Sequence, residues 1–274
     1  NTAAEALEVA NRFRDEGLPA DVIHFDPQWM GIEADVPLCD FRFDVEKFGD
    51  PVKTIEKLKE LNLHLSLWQF PYIAEETSIY AEGKAIGAFV DGYIAGEPPQ
   101  KIGVIDFSKP EAVSWYQEKL RLLLELGADV IKVDFGETSP VNVDYAGYSG
   151  PEMHNIYPLL YNQAAFDITE KVKGPGNTLI WARCAYAGSQ RYPVHWSGDS
   201  DAAWDTLPCV LKGGLSLALS GFSFWSHDMG GYLGTPSAEL YMRWTQLAMF
   251  GSHVRAHGNT PREPWFFGQE ALDN

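Results

Sequence analysis

The sequence predicts a parallel α/β protein of the (β/α)8 TIM-barrel type, residues 1–274 forming one domain. Strand and helix patterns alternate along the whole chain, as a parallel sheet with helical crossovers requires. Polar residues collect at the carboxyl ends of nearly every strand pattern, which is where barrel sites are built. A doubly wound sheet also alternates, but it lacks that ring of polar strand ends. Neither GxGxxG nor GxxxxGKS/T occurs to suggest a nucleotide-binding crevice.

The elements follow in order. Apolar positions recur at helical spacing over 3–16, and Gly17 supplies the stop. Residues 21–26 read as a strand broken by Pro27. A helix is predicted over 51–61, with Asp50 able to cap it and Pro51 in its first turn. Residues 63–68 alternate strictly, with three leucines on one face and His64, Ser66 and Trp68 on the other, predicting a half-polar strand. Residues 74–105 are rich in Gly and Pro and read as a loop excursion between barrel strands. A helix over 109–126 is expected to start from Ser108, with Pro110 in its first turn. Strand 128–136, helix 153–172 and strands 178–184 and 194–198 come next. Helix 202–219, strand 222–228, helix 236–250 and strand 252–257 complete the series. The chain opens on Asn1 within a helical pattern and offers seven strands. It is therefore expected to be part of a longer polypeptide, with the first barrel strand and last helix lying outside it.

Composition removes several classes of function. A formal charge of −17 excludes a nucleic-acid partner, whose phosphates need a basic surface. No apolar run is long enough for a membrane span, and no signal-peptide pattern opens the chain. Cys39, Cys184 and Cys209 are odd in number and widely spaced, so they predict neither disulfides nor a zinc site. That pattern suits a reducing, cytoplasmic compartment, with secretion or a periplasmic location left open. HExxH and GxSxG are absent, against a zinc protease and a serine hydrolase. Carboxylates alone could hold Ca²⁺ or Mg²⁺, a rival account of an acidic cluster. Nine Trp, 12 Tyr and 15 Phe, many beside carboxylates, suit a sugar site, although most such rings serve a core.

Period two in strand 128–136 puts Val130, Lys132 and Asp134 on one face, so an ammonium and a carboxylate leave the strand together. The ammonium favours an ionised Asp134, as a nucleophile needs; a structural ion pair is the plainer alternative. Asp199 follows another strand exit with Trp196 and Gly198 close by, where burial against rings would keep a proton on it for a leaving oxygen. Asp201 and Asp205 compete with it, and any of the three could be only a helix N-cap. Asp26, Trp68, Arg183, Asp228 and His257 sit near the ends of other strands. Arg183 could hold Asp199 or a sugar hydroxyl, and His253, Arg255 and His257 share one face.

Together these segments resemble glycoside hydrolase family 31, the α-glucosidase and α-xylosidase family. The likeness runs from about residue 5 to 268. It rests on IHFDPQWM (23–30), IKVDFGE (131–137), WAR (181–183), GSQRYPVHWSGD (188–199), FWSHDMGG (224–231) and RAHG (255–258) in that order. The resemblance implies Asp134 as nucleophile and Asp199 as acid/base. It places Asp26, Trp68, Arg183, Asp228 and His257 around the sugar, with Trp29, Lys132, Trp196, Phe224, Trp225 and Tyr232 as neighbours. Tyr232 departs from the Phe of many relatives. Retaining hydrolysis of an α-linked sugar follows, most like an α-xylosidase, with no cofactor and no metal. Alternatives are an α-glucosidase, α-galactosidase or sulfoquinovosidase, a transglycosylase, or a non-catalytic sugar-binding barrel. Sulfoquinovosidases tend to lack the lysine two residues before the nucleophile. The resemblance also implies flanking β-domains and is compatible with a homo-oligomer.

Overall fold

A computed structural model of the chain describes residues 2–31, 39–94 and 100–274. The chain divides into two compact units, residues 1–180 with 184–189, and residues 181–183 with 190–274.

The first unit opens with α1 (Ala3–Asp15), β1 (Val22–Phe25), α2 (Val45–Phe48), α3 (Pro51–Glu60) and β2 (His64–Gln69). A capping box between Thr2 and Glu5 starts α1, and Asp50 accepts the Val52 amide to start α3, as its sequence predicts. Next come β3 (Tyr72–Ala74), α4 (Tyr80–Ala85), β4 (Phe89–Ile94), β5 (Gln100–Ile105), α5 (Pro110–Leu126), β6 (Val130–Val133) and α6 (Gly150–Lys173). Strands β1, β2 and β6 are parallel neighbours in that order. The stretch read as a loop excursion has regular structure of its own: β5 pairs antiparallel with β3 and β4. Residues 95–99 of that stretch lie outside the described residues.

Two local readings need correction. Ser108 does not cap α5; its amide and hydroxyl go to Asp106, which lies inside the turn, and Lys109 holds the cap position without a side-chain bond. Strand β2 is not half-polar in its surroundings, because Ser66 and Trp68 are buried as deeply as Leu65 and Leu67. Parallel strands are covered on both faces, so alternation along them marks two buried environments rather than core and solvent. Where α5 packs on α6, the rings of Tyr116, Tyr157 and Tyr161 gather around Phe107, with centroids 5.1–5.4 Å from it. This ring cluster backs the exit of β6.

The second unit holds β7 (Ile180–Ala182, from Trp181 onward), β8 (His195–Trp196), α7 (Thr206–Leu219), β9 (Trp225–Asp228), α8 (Ala238–Ala248), β10 (His253–Arg255) and α9 (Gln269–Asp273). Strands β7, β8, β9 and β10 are parallel neighbours in sequence order. Its core packs Val210, Met229, Leu240, Tyr241 and Trp244, with Trp225 and Phe267 against them. The parallel strands number seven among the described residues, one fewer than a closed (β/α)8 barrel. No helix of the described residues is long and apolar enough to cross a membrane.

Candidate active site

In the first unit the register of neighbouring strands assembles one cluster. Trp68 lies opposite Lys132, and His24 opposite Ser66, so side chains of one parity meet across three strands. The Trp68 indole N–H donates to Asp134 Oδ2 at 2.6 Å. Lys132 Nζ stands 3.3 Å from the same oxygen and 3.1 Å from Asp26 Oδ1. The Phe135 amide donates to Asp134 Oδ1 at 2.8 Å. Asp134 is buried, and so is Lys132. Each carboxylate oxygen of Asp134 therefore meets a donor, an arrangement that fixes the direction of the carboxylate.

The backbone turns sharply just past that carboxylate. Phe135 adopts φ 56°, and Gly136 adopts φ 98° where an added Cβ would lie 2.7 Å from Cys184 Sγ. A non-glycine residue in the left-handed region costs free energy and persists only where its surroundings hold it. Here the Tyr161 hydroxyl donates to the Asp134 carbonyl at 3.1 Å and accepts from Gln69 Nε2 at 3.0 Å. Trp29 is buried with its N–H on the Trp68 carbonyl at 2.8 Å, so it supports Trp68 from behind.

In the second unit Arg183 Nη1 lies 3.0 Å from Asp199 Oδ2. Asp199 is 39% exposed, so the burial expected to distinguish it is not present, and an arginine stands against it instead. Asp205 occupies the N-cap position of α7 without a side-chain bond. Asp228 is fully buried and paired with Arg255 Nη1 at 3.1 Å. The Arg255 guanidinium stacks 3.9 Å from the centre of Trp181, with Trp196 further out at 5.9 Å. Tyr232 and His257 stack with centroids 5.3 Å apart. Phe224 is exposed. Trp225 sits on the opposite face of β9 from Asp228, beside His227 and against Gly214 of α7, where a Cβ would touch its ring. Burial pushes His195 and His227 down to about 4.

Sequence reasoning missed three contributors. His24 Nε2 lies 3.0 Å from Asp26 Oδ1 and its Nδ1 lies 2.9 Å from Ser66 Oγ. Its spacing two residues before Asp26 on a strand was the available signal. Arg255 was placed on a face with two histidines but not assigned to Asp228. Arg262 left no pattern at all, because most of its partners are main-chain carbonyls. Among the described residues, no group of three or more His, Cys, Asp or Glu side chains could hold a metal ion.

The model of the glycosyl hydrolases family 31 TIM-barrel domain matches residues 1–274, and the chain belongs to that family. It is 40% identical over 95% of its length to an α-xylosidase of Emericella nidulans, and 37% identical over 98% to an α-xylosidase of Lactiplantibacillus pentosus. The chain spans 34% and 36% of those two proteins, about a third of their length. A family 31 α-xylosidase from a soil metagenome, solved with xylose, superposes with a TM-score of 0.87 at 27% identity, over 99% of this chain and 45% of that one.

Proposed function

We propose that this domain works within a longer enzyme as a retaining α-glycoside hydrolase, with an α-xyloside as its substrate. One observation carries the reading: Asp134 is buried and oriented by Trp68, Lys132 and the Phe135 amide, as a carboxylate nucleophile at a strand exit needs to be. Two relatives, at 40% and 37% identity, are α-xylosidases, and this supports xylose as the sugar.

In this reading Asp134 attacks the anomeric carbon as Asp199 gives its proton to the departing oxygen, breaking the glycosidic bond and leaving a glycosyl ester on Asp134. Asp199 then removes a proton from water, whose oxygen attacks the same carbon, frees Asp134 and releases the sugar with its α configuration retained. Retention calls for carboxyl groups about 5–5.5 Å apart, against roughly 6.5–9.5 Å for inversion. Asp26, Arg183 and His257 would bind hydroxyls, and Phe224 and Tyr232 would cover apolar faces of the sugar, with Trp68 holding Asp134, Asp228 holding Arg255 and Trp196 packed beside that pair. Lys132 would hold Asp26 and Asp134 in register, with Trp29 and Trp225 packing behind. No step requires a metal or cofactor.

Hydrolysis of 4-nitrophenyl α-glycosides of xylose, glucose, galactose and sulfoquinovose by the full-length protein tests the sugar. A mechanism-based covalent inhibitor tests the nucleophile. The expected result is preference for xyloside, α-xylose as first product, and an adduct on the peptide bearing Asp134. Preference for another sugar would correct the substrate. A β product or a label elsewhere would overturn the mechanism.

A further inference from the structure

The acid/base candidate Asp199 is followed at once by a segment that lies against the turn 230–234. Tyr232 and Leu233 donate their amides to the Ser200 carbonyl at 2.7 and 3.0 Å, and Ala202 donates back to the Leu233 carbonyl at 2.8 Å. Contact is close enough to require glycine: a Cβ on Gly231 would lie 2.5 Å from the Asp201 carbonyl oxygen. The same turn touches the segment after His257, through the Asn259 amide on the Tyr232 carbonyl at 2.9 Å and the Gly234 amide on Asn259 Oδ1 at 3.0 Å.

Arg262 sits beneath this junction and is almost fully buried. Its Nε and Nη2 donate to the Gly231 carbonyl at 3.0 and 2.8 Å, and Nη2 also reaches the carbonyls of Tyr232 and Gly234. Nη1 donates to the Thr260 carbonyl at 2.9 Å and to the Thr260 hydroxyl. The side chain is itself boxed in, because a Cβ on Gly258 would lie 2.6 Å from its Cζ. A buried guanidinium is costly unless its donors are met, and here main-chain oxygens of both segments meet them. A planar fork of five donors can span those carbonyls at once; the three donors of a lysine cannot.

We infer that Arg262 is a positioning residue that locks the turn 230–234, and through it the backbone behind Asp199 and the stacked Tyr232 and His257, into one rigid frame. The inference rests on the glycosidase reading of Asp199 given above. It implies that loosening the frame misplaces the proton donor, so substrates that need protonation suffer most.

The test uses the full-length enzyme carrying Arg262→Lys, Gly231→Ala or Asp199→Ala, with kcat/KM measured on an activated 4-nitrophenyl α-glycoside and an unactivated alkyl α-glycoside of the preferred sugar. Thermal unfolding of each variant is followed alongside. Arg262→Lys should lose on the order of 100-fold on the alkyl glycoside, as a misplacement of about 1 Å can cost, and far less on the aryl one. Gly231→Ala should show the same split by pushing on the Asp201 carbonyl directly, and it decides the matter if Arg262→Lys does not fold. Equal losses on both substrates in a folded variant, while Asp199→Ala splits them, would overturn the clamp and leave the acid assignment standing. An unsplit Asp199→Ala would overturn the acid assignment, and the clamp's role with it.

Discussion

Asp134 and Asp199 are both aspartates just past the end of a parallel strand, yet they stand in opposite surroundings. Asp134 is buried, with Trp68, Lys132 and the Phe135 amide on its two oxygens. Asp199 is 39% exposed, beside Arg183. The contrast matches what the proposed chemistry asks of each. A nucleophile must be fixed in direction, which donors on both of its oxygens provide. A group that gives up a proton and takes one back from water in each cycle needs a path to solvent, which a carboxylate 39% exposed has.

The sharpest way to break this comparison is to delete each carboxylate. Asp134→Ala should lower turnover by on the order of 10⁴-fold or more on every substrate, as loss of a covalent nucleophile does, in a protein that still folds. Substantial residual hydrolysis would remove Asp134 from the mechanism. Asp199→Ala should cost about 10²–10⁴-fold on poorly activated glycosides, the usual worth of a general acid, and much less on aryl glycosides. Equal losses would make the two carboxylates alike in role and erase the distinction.

A smaller change sharpens the comparison within the first unit alone. Trp68→Phe keeps an aromatic ring but removes the N–H held 2.6 Å from Asp134 Oδ2. A hydrogen bond to a charged group is worth about 1.5–3 kcal/mol, or roughly 10- to 100-fold in kcat/KM if it is made fully in the transition state. Because the loss falls on the nucleophile, it should appear equally with aryl and alkyl leaving groups. A leaving-group dependence would mean that Trp68 acts on the acid step instead.

The two carboxylate settings differed in how far the sequence could reveal them. Period two along β6 put Lys132 and Asp134 on one face, and the ion pair at 3.3 Å follows from that spacing. Trp68 was legible as a strand-end residue, but its bond to Asp134 depends on the β2–β6 register, which no single strand encodes. For Asp199 the pattern predicted ring burial, because Trp196 stands three residues before it. The Trp196 ring lies 5.3 Å from Trp181 and 5.9 Å from the Arg255 guanidinium instead. Asp205 and Asp201 stayed equal rivals in the sequence, since a strand–helix junction favours acidic residues for capping alone. Arg262 was invisible because backbone carbonyls carry no residue identity to match.

The weakest expected effect is a pH dependence that separates the two units by stability rather than by chemistry. His195 and His227 belong to the second unit, and burial lowers each from an ordinary 6.5 to about 4. Both are therefore neutral when folded at neutral pH. Between pH 6.5 and about 4 the unfolded chain binds protons at these histidines and the folded chain does not, so acidification favours unfolding across that window. Above pH 6.5 the two forms carry the same charge there, and no penalty applies. In the first unit burial pushes Asp129 up, but its contacts with His64, Lys173 and the Leu65 amide together outweigh burial and hold it below 3.8, so its contribution is lost only at lower pH. Amide hydrogen exchange in the full-length protein at pH 7 and pH 5 should thus show protection falling first in β8 and β9, with β1 and β2 holding. Simultaneous loss in all four strands would mean that the units unfold as one and that these histidines do not set the acid limit.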